Sequence, residues 1–157
     1  MQMQTLFDIV DKPFEWWILL PPTGLVLLGL SLTWMEGRKI GIFVVKKIGY
    51  GLCCLGIVVA IFLVSKWQWV KHDASRALVT RQCLVVEGPV ENYRVMPIEG
   101  HPPESFTIGG VRFSYSDYIY TPCFNKTSSH GGPIRAGMSL RIYYRDDCIL
   151  RIERIQP

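Results

Sequence analysis

Residues 48–64 read IGYGLCCLGIVVAIFLV, a run of 17 residues without a charge. A helix of that length just crosses a bilayer core of roughly 30 Å. Tyr50, Trp67 and Trp69 stand where interfacial aromatic side chains usually stand. The reading is a transmembrane helix over 48–65, and it decides where everything after it is placed.

An earlier stretch, 16–34, reads WWILLPPTGLVLLGLSLTW: it too is uncharged and has tryptophans at both ends. It is read as the first of two spans, with a kink expected at Pro21–Pro22, where two backbone donors are missing. Two such segments in so short a chain are hard to bury as core helices of a soluble protein. Residues 1–15 hold Asp8, Asp11 and Glu15 against Lys12 and lack the basic start of a secretory signal; they are expected to form a tail at the membrane surface. Residues 35–47 form a basic connector, with GIFVV between two pairs of cations as a short interfacial segment.

Orientation follows from Arg38, Lys39, Lys46 and Lys47 in the connector against Lys12 before the first span. The connector is placed in the cytoplasm and both termini outside, although Lys66, Lys71, Arg76 and Arg81 follow the second span and weigh the other way. Gly49, Cys53, Gly56 and Ala60 recur at helical spacing as one stripe of small side chains. Such a stripe serves either the first span of the same chain or self-association and docking of another membrane protein. Residues 66–82 are polar and free of Gly and Pro, and read as a helical stalk.

Mean hydropathy is +0.21, but the apolar excess lies before Val64. From Arg81 onward, nine Lys/Arg face eight Asp/Glu, which gives no basic excess of the kind a nucleic-acid partner requires. Past Cys83 the period changes from helical to alternating. A bent strand at 83–95 with Gly88–Pro89 in its middle precedes 104–108, Gly109–Gly110 and 111–120, a hairpin signal. After the long stretch 121–138, a second hairpin runs over 139–145 and 148–155 through Asp146–Asp147. Five strands in that order suggest an α+β protein whose C-terminal part, 83–157, is a small OB-like barrel. A two-layer sandwich fits the same string.

The stretches VEGPVENYRVMP, ESFTIGGVRFSYSDY, CFN and HGGPIRAG resemble a pattern of uncharacterised bacterial membrane-anchored proteins, over roughly 86–152. The resemblance implies an anchored β domain and assigns no activity. In overall plan the chain is also similar to the NfeD type of membrane protein, though no motif of that family matches residues here.

The most unusual stretch is 121–138, TPCFNKTSSHGGPIRAGM. Loops this long in a compact domain either carry a binding function or cap a core. Phe124, Asn125, His130 and Arg135 are its candidate binding residues, joined by Tyr143, which with Arg141, Arg112 and Tyr118 offers an aromatic and basic patch suited to protein interfaces. Cys123, His130 and Asp117 have the residue types of a nucleophile, base and orienter, but no signature surrounds Cys123. Cys123, His101 and His130 lack the close spacing of a zinc site, so no metal and no cofactor is expected. Cys53 and Cys54 fall at lipid depth. Of Cys83, Cys123 and Cys148, a disulfide between Cys83 and Cys148 is expected if the domain lies outside; otherwise they are core thiols.

These readings describe a multi-pass protein of the cytoplasmic membrane with an extracytoplasmic domain that binds a protein without catalysing a reaction. It would be an accessory subunit of a membrane complex or a toxin-neutralising protein. A small-molecule or glycan sensor using 121–138 and an anchored Cys-dependent enzyme are the alternatives. The expected partners are the lipid bilayer, a protein and a second copy of the chain, and not nucleic acid.

Overall fold

A computed structural model describes residues 3–34, 41–97 and 102–156. The expected turn of the connector at 35–40 and the candidate ligand His101 lie outside the described residues. The chain forms two compact units, one of Phe14–Gln68 and one of Met1–Pro13 with Trp69–Pro157.

The first unit holds the two apolar segments. Trp16–Leu19 is a 3-10 turn that leads into helix α1, Leu20–Trp34. Pro21 and Pro22 therefore fall in the first turn of α1, where a backbone N–H has no intrahelical acceptor to lose, and not in an interior that they would break. Helix α2 runs from Gly41 to Val79 without interruption. The stretch expected to lie in the interface is, from Gly41 on, the start of this helix. Both helices are long and apolar enough to cross a membrane, and only 11% of each apolar window is buried.

The small-residue stripe meets α1. A Cβ on Gly49 would lie 2.7 Å from the Gly29 carbonyl oxygen, and one on Gly56 would lie 2.7 Å from that of Pro22. Contacts that move seven residues down one helix and seven up the other define an antiparallel pair. Cys53 sits between them, its thiol 3.6 Å from the Val26 carbonyl. Of the alternatives for the stripe, the first span of the same chain is the one observed. Ala60 is half-buried at its end. Trp67 is also buried, edge-on to Phe14 at 5.1 Å, where the sequence suggested an interfacial ring.

Among the described residues the second unit carries seven strands. Strand β1 is Met3–Asp8, followed after the helices by β2, Leu84–Pro89; β3, Glu91–Arg94; β4, Glu104–Ile108; β5, Val111–Tyr115; β6, Ser139–Arg145; and β7, Cys148–Ile155. They form a four-stranded sheet ordered β1-β7-β6-β2 and a three-stranded sheet ordered β3-β4-β5. Both expected hairpins are present, with Ile108 opposite Val111 and Arg145 opposite Cys148. Gly109 and Gly110 both take positive φ, which a two-residue turn of this hand requires. Strand β5 stops at Tyr115, short of residue 120, because Ser116 starts a turn closed by the Ile119 amide.

Two expectations are corrected here. The bent strand at 83–95 divides between the sheets, and among the described residues no strand of one sheet pairs with an edge of the other, so they form no closed barrel. The outer edge of β7, which closure could have used, is taken instead by β1, antiparallel with Met3 opposite Ile155. Residues 3–9 are thus no part of the surface tail expected over 1–15, as Met3–Asp8 is a strand and Ile9 is fully buried. A strand before the helices pairs with the last strand after them, so both flanks of the helix pair end in one module.

The core lies between the sheets, with Phe106, Ile108, Phe113 and Tyr115 from one and Leu140, Ile142, Ile149 and Ile152 from the other. A second cluster joins Ala74, Ala77 and Leu78 of α2 to Ile9 and Leu150. The expected stalk is therefore partly packed into the module, and it ends with Arg81 in the left-handed region.

Candidate functional site

The stretch 116–138 has little regular structure apart from a 3-10 turn at Ser128–His130; it is pinned to the sheets at two places and to itself at a third.

The first pin is Glu104. In strand β4 it shares the inward face with Phe106 and Ile108 and is fully buried. Its carboxylate accepts from the Tyr115 hydroxyl at 2.5 Å, from the Ser128 hydroxyl at 2.7 Å and from the Ser128 amide at 2.9 Å. The Tyr93 hydroxyl lies 3.0 Å away and equally close to the Ile134 carbonyl, one proton between two acceptors. Burial alone pushes the Glu104 pKa up, but the bonds from Tyr115, Ser128 and Tyr93 outweigh it and hold the carboxyl below its ordinary value. Burial, then the bond to Glu104, pushes the Tyr115 phenol up, so it stays a donor.

The second pin is Asp117. His130 Nδ1 lies 2.5 Å from its Oδ2, which also accepts from the fully buried Thr127 hydroxyl at 2.9 Å. Ser129 adds a hydroxyl 3.2 Å from that of Thr127. Asp117 Oδ1 is buried with no hydrogen-bond partner among the described residues. Gly132 passes so close to Lys126 and Thr127 that a Cβ there would meet their backbone, so the turn needs glycine.

The third pin is a disulfide between Cys123 and Cys148, Cα atoms 5.3 Å apart. This corrects the expected pairing of Cys83 with Cys148. Cys83 precedes β2 and Cys148 opens β7, and β6 runs between those strands. Two strand spacings, roughly 9.6 Å, exceed the roughly 7 Å that a disulfide spans. Cys123 is instead carried alongside Cys148 by the bond from the Phe124 amide to the Ile149 carbonyl, and Cys83 remains a half-buried thiol.

The candidate residues divide accordingly. Phe124 is buried, edge-on to Phe7 and Tyr115, and serves the core. Asn125 is buried too, accepting from Lys12 Nζ at 2.6 Å and donating to the Ile119 carbonyl at 2.9 Å. His130 and Arg135 are exposed; Arg135 donates to the carbonyls of Gly132 and Ile134. Tyr143 is half-buried, with Arg151 over its ring and Glu153 3.4 Å from its hydroxyl. The patch is not continuous, since Arg112 belongs to the three-stranded sheet and Arg141 to the other, where Glu87 neutralises it. His130 and Asp117 do meet, but Cys123 is oxidised and offers them no thiolate. Among the described residues no His, Cys, Asp and Glu cluster could hold a metal ion.

Glu104 was legible in principle, because a carboxylate at i with Phe and Ile at i+2 and i+4 of a strand is a charge on the core face.

Beside the disulfide lies a groove of about 410 Å³. Trp69, Ile119, Phe124 and Leu150 line it, with Asp73, Arg145, Asp146 and Asp147 among its polar groups. Trp69 is 70% and Ile119 57% exposed, while Asp73 and Arg145 form an ion pair.

No protein-family model, curated protein or solved structure matches the chain.

Proposed function

We propose that the chain is a membrane-anchored binding protein whose β module holds a protein partner in the groove beside Trp69, as an accessory subunit of a membrane complex. The observation that carries the reading is the exposure of Trp69 and Ile119 in a preformed groove with a charged border. Interfaces concentrate their energy in aromatic and aliphatic anchors surrounded by polar groups. The Cys123–Cys148 disulfide, whose two cysteines line the groove, fixes that part of its wall beforehand, which lowers the ordering cost of association. The two apolar helices supply the anchor in a cytoplasmic membrane, and the Cys123–Cys148 disulfide favours an oxidising, extracytoplasmic side.

Photocrosslinking tests this. A benzophenone amino acid at position 69, in cells, should give one discrete protein adduct that Ile119→Lys removes. Adducts to lipid alone, or to none, would defeat the reading.

A further inference from the structure

The outer face of the three-stranded sheet holds a feature that the groove does not use. In β3, two residues, Asn92 and Tyr93, stand where β4 has one, so the pairing passes from Glu91 opposite Thr107 to Arg94 opposite Ser105. Asn92 takes a φ of 48°, the left-handed backbone of a bulge. The extra residue turns Tyr93 inward to Glu104 and leaves Arg94 on the outer face. Across β4, Arg112 of β5 stands opposite Thr107.

Two guanidinium groups from opposite edge strands thus flank a cleft of about 400 Å³ whose lining includes Asn92, Ser105 and Thr107. Among the described residues no carboxylate pairs with Arg94 or Arg112. Arg141, Arg145 and Arg151 of the other sheet are each neutralised, by Glu87, Asp73 and Asp8. The carboxylate nearest in register is Glu91, in the row of Thr107 and Arg112 but two strands from the latter. Planar guanidinium groups match carboxylate and phosphate oxygens, and the hydroxyls and the amide add donors.

We propose that this cleft is an oxyanion-binding site, taking a carboxylate or phosphate group held between Arg94 and Arg112. Bulges often re-aim side chains at functional positions, and this one creates the pairing of the two arginines. The site is independent of the Trp69 groove.

The test is calorimetric titration of the full chain in a neutral detergent with three probes: inorganic phosphate, citrate and a hexaglutamate peptide. The strongest binder identifies the source of the oxyanion as phosphate, small carboxylate or acidic protein segment. For that probe, Arg94→Ala and Arg112→Ala should each weaken binding about tenfold or more. Arg154→Ala, an exposed arginine on the other sheet, should leave it unchanged. Both cleft residues are exposed, so the variants keep the fold, which circular dichroism checks. No binding by any probe, or an equal loss in Arg154→Ala, would overturn the assignment.

Discussion

The substitution Glu104→Gln removes one charge and almost no volume, so its effect isolates the electrostatics of the buried pin. The oxygen of the introduced amide can still accept from Tyr115 and Tyr93. Its nitrogen, however, turns two donor hydrogens toward the Ser128 amide and hydroxyl, which both donate to Glu104. The hydroxyl can rotate away, but the Ser128 N–H loses its 2.9 Å acceptor and keeps only the longer, 3.2 Å contact to Oε1, which leaves it poorly satisfied. An unsatisfied buried donor costs about 1–3 kcal/mol, and each bond that loses its charge assistance costs roughly another 1 kcal/mol. A total of about 3 kcal/mol should lower the Tm of a module of this size by roughly 12–24 °C.

The pH dependence gives the sign. Hydrogen bonding holds the folded pKa of Glu104 below its unfolded value, so its contribution is complete above the unfolded pKa, near 4.3, and is lost as pH falls through the folded one. Thermal unfolding of both proteins in detergent, followed by near-UV circular dichroism from pH 7 to pH 3, should show a wide gap that narrows on acidification. A drop of less than about 3 °C at pH 7, or a gap that widens in acid, would refute the picture of an ionised carboxylate saturated by donors.

Other outcomes follow from the same contacts. Cys123→Ser opens a closure of 25 residues and should cost about 3.5 kcal/mol in the chain-entropy account, read from denaturant midpoints. Alkylation of the unreduced, denatured chain should label Cys53, Cys54 and Cys83 alone, with Cys123 and Cys148 added after reduction, as mass spectrometry would show. Gly49→Leu drives a side chain into the backbone of α1 at Gly29 and should destabilise the helix pair by about 1–3 kcal/mol, measured as easier proteolysis in detergent.

Much of this architecture was readable in the residues because its signals are local. The uncharged runs, the Gly109–Gly110 turn and the alternation in 139–155 depend on neighbours a few positions away. What stayed hidden depends on pairings distant in sequence. Strand β1 is short and polar at its start, and its partner β7 lies at the far end of the chain. The Cys123–Cys148 pairing is set by the position of β6, which strand order does not fix until the sheet is assembled. The small-residue stripe was visible at Gly49 and Gly56, but its counterpart Gly29 is five residues from Gly24, a spacing that puts the two on different faces of α1 and marks no stripe. Within 121–138, residue type alone does not separate the exposed His130 and Arg135 from the buried Phe124 and Asn125. The bulge at Asn92 carries no glycine, and a lone Asn, though it tolerates the left-handed backbone, does not single out this position.

The central claim is that one module is assembled from both flanks of a helix pair long and apolar enough to span a membrane. Gln4 and Arg154 face each other across β1 and β7, and both are exposed. Gln4→Cys together with Arg154→Cys, oxidised in membranes washed with alkaline carbonate, should yield an intramolecular crosslink in protein that stays in the pellet. Protein that washes into the supernatant, or that remains in the membrane with those two cysteines uncrosslinked, would contradict the account.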